Sequence, residues 1–145
     1  MKLFLKLILL TAVISMAGLL NSCEPDDTTG TDPSDSRNVF VGVWRFTESG
    51  YLKNGLSQSY IVSISLDPDN SSQVILDNFG NPGSSDMSVT GIVTTNQIVI
   101  SNQVLTNGWI VEGSGKKTTE GKMSWSYSIT AGGDINYYTA TAVKQ

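Results

Sequence analysis

The chain has 145 residues, 39% of them hydrophobic and 15% charged, with 14 glycines, one cysteine, no histidine and a formal net charge of −4. A single cysteine cannot close an internal disulfide, structural zinc sites lose nearly all their ligands, and histidine-based triads, haem and copper sites lose their usual residue. No cofactor or metal is therefore expected, and with no basic stripe beyond the Lys116-Lys117 pair there is no footprint for nucleic acid.

Met1 to Cys23 carry the marks of a processing segment. Lys2 and Lys6 form a basic start, and Leu7 to Leu20 an apolar run broken only by Thr11, Ser15 and Gly18. At 14 residues the run falls short of the roughly 20 that a spanning helix needs, so it suits a cleaved signal better. It ends in Leu20-Asn21-Ser22-Cys23, which resembles the lipobox of bacterial lipoproteins, Asn21 being a looser fit than the usual alanine or serine. The resemblance implies that the Cys23 thiol takes a diacylglycerol as a thioether and that a peptidase then cuts before it. It also implies three acyl chains, and at ~0.8 kcal/mol per buried methylene these exceed what stable anchoring requires. The expected partner of this end is thus the membrane, and the expected location the outer membrane of a cell envelope.

Removing Lys2 and Lys6 takes the net charge from −4 to −6, and Glu24, Asp26, Asp27, Asp32 and Asp35 place most of it in one short stretch. Glu24 to Ser36 has two prolines and no large apolar residue. Such a segment cannot bury enough surface to offset its ordering entropy and reads as a flexible tether. Its acids resemble the surface-export signals of Bacteroidota lipoproteins; an ordinary solvated linker is the alternative, so both faces of the outer membrane stay open, with a slight lean to the cell surface. The division expected is a signal over 1–22, a lipidated cysteine and tether over 23–37, and a folded domain over 38–145.

From Asn38 onward alternation of period two recurs and helical periodicity does not. Strands are predicted over Asn38–Thr47, Ser59–Leu66, Gln73–Phe79, Met87–Thr94, Gln97–Asn102, Gly108–Gly113, Gly121–Thr130 and Ile135–Val143. The breaks between them, such as Asn54-Gly55, Asp67-Pro68-Asp69-Asn70 and Gly132-Gly133-Asp134, are turn-forming. Tyr60, Val62, Ile64 and Leu66 alternate with serines, as do Met123, Trp125, Tyr127 and Ile129, while Ile135, Tyr137, Thr139, Thr141 and Val143 share one face of the last strand. Eight short strands in sequential hairpins predict an all-β, antiparallel up-and-down barrel, a two-sheet sandwich being the alternative.

Gly42-x-Trp44 on the first strand resembles the Gly-x-Trp opening of the calycin group, which includes the lipocalins. In those proteins a basic residue of the last strand covers the tryptophan, and Lys144 stands at that position in place of the more usual arginine. The wider run, from Tyr60-Ile61-Val62-Ser63-Ile64 through Gln73-Val74-Ile75-Leu76 and Val89-Thr90-Gly91-Ile92-Val93 to Tyr138-Thr139-Ala140-Thr141-Ala142, is similar to short calycin-like lipoproteins of Bacteroidota. That family is largely uncharacterised, so the resemblance implies a fold and a location rather than an activity.

Three motif-like stretches fail on inspection. Gly113-Ser114-Gly115-Lys116-Lys117-Thr118 lacks the first glycine and the magnesium hydroxyl of a phosphate loop, and Ser114-x-x-Lys117 falls in an expected turn with no companion motif. Asp67-Pro68-Asp69-Asn70 opens like a calcium loop but has Ser72 and Asn78 where glycine and glutamate belong. Among the acids, Glu112 is expected to face solvent and Asp77 to lie exposed at a strand end. Trp109, Trp125, Tyr127, Tyr137 and Tyr138 are the candidates for lining a cavity, although an eight-stranded interior is only just wide enough for its own side chains or one small ligand. The functional expectation is a non-enzymatic, lipid-anchored barrel that binds a small apolar ligand at its open end or serves as a surface binding module. A filled barrel that meets protein or glycan is the alternative.

Overall fold

A computed structural model describes residues 34–50, 57–83 and 87–145. The expected signal, Cys23 and most of the expected tether lie outside the described residues. Period-two sequence has become eight strands: β1 (Gly42–Gly50), β2 (Gln58–Leu66), β3 (Gln73–Asp77), β4 (Ser88–Thr94), β5 (Gln97–Val104), β6 (Ile110–Thr119), β7 (Lys122–Ala131) and β8 (Asp134–Lys144). Each pairs antiparallel with the next, and β8 returns to β1, so the sheet is a closed up-and-down barrel of calycin-like order rather than a sandwich. Closure follows from the register, in which Trp44 meets Val62 on one side and Lys144 on the other.

The interior is built from the alternating apolar positions. Trp44 and Phe46 of β1, Tyr60, Val62 and Ile64 of β2, Val74 and Leu76 of β3, and Met123, Trp125, Tyr127 and Ile129 of β7 are all buried. Five rings form its densest layer: Phe46 lies 5.4 Å from Trp125 and 5.7 Å from Tyr60, and Phe79 lies 5.1 Å from Trp125 and 4.8 Å from Tyr127.

Three expectations are corrected. The first strand starts at Gly42, because Ser36–Val39 form a short 3-10 helix capped by Asp35, whose side chain accepts from the Arg37 amide at 2.9 Å. Arg37 carries this helix into the body: its Nη1 donates to the carbonyls of Asn70, Gln73 and Asp67 at 2.9, 3.0 and 3.2 Å. Asp35 to Arg37, read as the end of the tether, therefore belong to the folded unit.

The second correction concerns β6, which runs on to Thr119 through the Gly113-Ser114-Gly115-Lys116 stretch expected to turn. A Cβ on Gly115 would stand 2.2 Å from the Trp125 ring and one on Gly113 2.3 Å from Cβ of Tyr127. These glycines are strand residues that leave room for the large side chains of β7.

The third concerns Tyr137 of β8, expected to line a cavity; the shared face that it forms with Ile135, Thr139, Thr141 and Val143 is the outer one. Ala140 and Ala142 point inward, opposite Trp125 and Met123, while Ile135, Tyr137 and Val143 are exposed on the outer wall. Large residues on β7 require small ones beside them, and that volume constraint outweighs the greater hydrophobicity of the other face.

Candidate functional site

The two ends of the barrel differ in chemistry. At one end the chain enters through the 3-10 helix, and Phe40 and Trp44 fill the floor, both essentially inaccessible to solvent. The Trp44 indole donates to the Phe40 carbonyl at 2.7 Å, and Nζ of Lys144 sits 5.6 Å from its ring centroid. Gly42, at φ +135°, has the backbone conformation that favours glycine, and a Cβ there would stand 2.8 Å from Cε of Lys144. The three residues Gly42, Trp44 and Lys144 are thus brought together as one closure, its cation stacked on an indole.

At the other end, where β1 finishes and β2 begins, the interior becomes polar. Glu48 follows Trp44 and Phe46 at the same spacing and points inward, half-buried. One oxygen, Oε1, accepts from the Tyr60 hydroxyl at 2.9 Å and from the Tyr127 hydroxyl; the two hydroxyls are themselves 3.0 Å apart. Tyr138 stacks on Tyr127 with centroids 5.2 Å apart and forms the next layer outward. Burial first, and the Glu48 charge in addition, push the Tyr60 and Tyr127 hydroxyls well above the ordinary tyrosine range, so both are neutral donors. Burial and the same carboxylate raise Tyr138 as well. Oε2 of Glu48 has no donor among the described residues.

Beneath this cluster the segment after β3 turns Phe79 into the core. Asn78 at φ 63° and Gly80 at φ 76° bend the chain, and the Asn78 side chain donates to the Ile61 carbonyl at 2.7 Å. The Phe79 ring, 1% exposed, caps the aromatic layer from the mouth side. Within that layer the Trp125 Nε1–H is buried and finds no acceptor among the described residues.

Of the residues singled out from sequence, Trp125 and Tyr127 lie inside, in contact with Phe79. Trp109 is half-buried and packs against the core. Tyr137 is on the outer wall, 65% exposed, and cannot line the interior. Glu112 is exposed, and Asp77 lies on the outer side of β3, between the inward Leu76 and the loop. Ser114 and Lys117 occupy alternate faces of β6, which removes any Ser–Lys pair. Tyr138, also named from sequence, stacks on Tyr127 at the mouth; sequence reading missed Glu48 and the pairing of Tyr60 with Tyr127. Their signal was the parity of Trp44-x-Phe46-x-Glu48.

No protein-family model matches the chain, and no curated protein matches it. Among solved structures it is similar to a redesigned β-barrel, at 11% identity and a TM-score of 0.52, over 79% of this chain and 99% of that one. It is also similar to EF1p2_mFAP2b bound to DFHBI, at 12% identity and a TM-score of 0.52, over 77% of this chain and 100% of the other. At these identities the likeness is one of fold: a closed, lipocalin-like barrel.

Proposed function

We propose that this chain is a lipid-anchored envelope protein whose barrel binds a small, largely apolar ligand at its mouth, without catalysing a reaction. The observation that carries the binding reading is Glu48, a carboxylate fixed by two neutral tyrosine hydroxyls at the end of an apolar interior. Apolar walls with a few convergent polar groups are the common make-up of small-molecule sites. Among the described residues Oε2 of Glu48 has no donor and the Trp125 N–H no acceptor, so a ligand that supplies either would be held there. Glu48 also opposes an anionic head, so neutral or cationic amphiphiles should bind better than fatty acids. That one likeness in fold was solved with DFHBI bound is consistent with this use of a barrel. Glu48 faces inward and Glu112 outward, so this pair of acids cannot share a substrate.

The anchoring half rests on Leu20-Asn21-Ser22-Cys23 and the acidic stretch that follows. Replacing Cys23 by alanine should release the protein from the membrane fraction, and continued retention would end that part of the proposal. For the ligand, tryptophan emission is titrated with sterols, porphyrins, long-chain amines and fatty acids. Saturable quenching by a neutral or cationic member, weakened about tenfold by Glu48→Gln, is expected. A silent panel would favour the filled barrel, a reading for which the tight Phe79 layer speaks.

A further inference from the structure

We infer that the outer wall carries a second binding site, a cleft across β5 to β8 that takes a neutral sugar ring of a glycan. The site is independent of the mouth and of the ligand proposed there. Glu112, Ser128 and Tyr137 stand opposite one another on β6, β7 and β8, in a single cross-strand row. Neighbouring strands lie about 4.8 Å apart, so the carboxylate and the tyrosine ring flank the serine across about 10 Å, a width suited to one pyranose ring. Between β5 and β6 the register slips after Ile100, and two residues, Ser101 and Asn102, stand opposite the single Glu112, a bulge of one extra residue. This bulge opens the wall into a cleft of about 330 Å³.

The chemistry of the lining selects the ligand. Ser128 is only 6% exposed although it points outward, and its hydroxyl approaches Glu112 Oε1 at 3.4 Å. The Asn102 amide approaches Oε2 at the same distance. Both contacts are at the long limit for a hydrogen bond, which leaves the carboxylate free to accept shorter ones from a ligand. Among the described residues no basic side chain lines the cleft, so an anion would meet the Glu112 carboxylate with no countercharge beside it. A wholly apolar ligand would strip water from Glu112, Asn102 and Ser128 without replacing it, which is costly. A sugar ring offers what is missing: an apolar C–H face for the exposed Tyr137 ring and an edge of hydroxyls for the acid, amide and serine. The neighbouring row Ser114, Ser126 and Thr139 continues the hydroxyl surface for a further sugar unit.

The test is calorimetric titration of the protein with three neutral oligosaccharides, cellohexaose, maltohexaose and chitohexaose, and with choline as a cationic control. Saturable binding of at least one oligosaccharide is expected, weakened about tenfold or more by Tyr137→Ala, kept within about twofold by Tyr137→Phe, and unchanged by Glu48→Gln. Unaltered thermal unfolding of the Tyr137→Ala protein separates lost contact from lost fold. The inference is overturned if none of the three binds up to about 10 mM, if Tyr137→Ala binds as tightly as the parent, or if choline alone occupies the cleft.

Discussion

Phe79→Ala separates a barrel that is merely filled from one whose filling can give way to a ligand. The ring is 1% exposed and stands 4.8, 5.1 and 5.9 Å from Tyr127, Trp125 and Phe46. Truncating a buried phenylalanine costs about 3–5 kcal/mol, and the loss of three ring contacts argues for the middle of that range or above. Taking about 4 kcal/mol, and about 4 °C per kcal/mol for a body of this size, the melting temperature should fall by about 16 °C. A small domain holds about 5–15 kcal/mol in all, so the variant should still fold at room temperature.

Two measurements decide the matter. Urea unfolding followed by tryptophan emission should give a lower midpoint at unchanged slope, since the surface exposed on unfolding barely changes. The space vacated is apolar and lies against the aromatic layer, so benzene or indole should bind there; at a hundredfold excess over Kd a ligand restores about 2.7 kcal/mol. A loss below about 1 kcal/mol would show that the Phe79 ring is not seated in the core. A full loss with no rescue by either aromatic would mean that the segment collapses into the gap, and the mouth could not then exchange a side chain for a ligand.

Further outcomes can be measured on the same chain. Tyr60 and Tyr127 are held neutral in the fold while an unfolded tyrosine ionises near pH 10, so their stabilisation is complete below about pH 10 and declines above it, at up to about 1.4 kcal/mol per pH unit for each; a urea midpoint that stays flat from pH 9.5 to 11 would contradict the buried cluster. Gly115→Ala should cost at least about 1–3 kcal/mol because the new methyl overlaps the indole, and pairing it with Trp125→Leu should recover part of the loss in a double-mutant cycle. Arg37→Ala should lower stability by about 2–3 kcal/mol by removing the donor to three carbonyls, and faster hydrogen exchange confined to residues 67–73 and the 3-10 helix would locate the effect.

Much of the barrel was legible because its strands repeat a simple alternation. Ser59-Tyr60-Ile61-Val62-Ser63-Ile64 and Lys122-Met123-Ser124-Trp125-Ser126-Tyr127 announce both strand and face, since the inward residues are large and the outward ones mostly serine. Where the pattern misled, a second constraint had taken over. In β6 glycine was read as turn chemistry, yet it serves as the space beside Trp125, and that demand comes from a strand ten residues on. In β8 hydrophobicity favoured Ile135, Tyr137 and Val143, but the neighbours of Trp125 and Met123 had to be small, so alanines took the interior.

Glu48 was lost for a related reason: a charge at an inward parity is normally read as the end of the strand. Burying a carboxylate is expensive unless hydrogen bonds replace its water. Here Tyr60 and Tyr127, distant in sequence, supply two donors to one of its oxygens. Alternation alone cannot announce such a site, because the partners that make the burial tolerable come from β2 and β7 and are brought to β1 only by closure. The adjacent residues Tyr127 and Ser128 carry the point further: one strand sends its hydroxyls to opposite sides of the same wall, Tyr127 to the carboxylate in the mouth and Ser128 to Glu112 in the outer cleft. Two binding surfaces can therefore share β7, and variants of Glu48 and Tyr137 should act independently of one another.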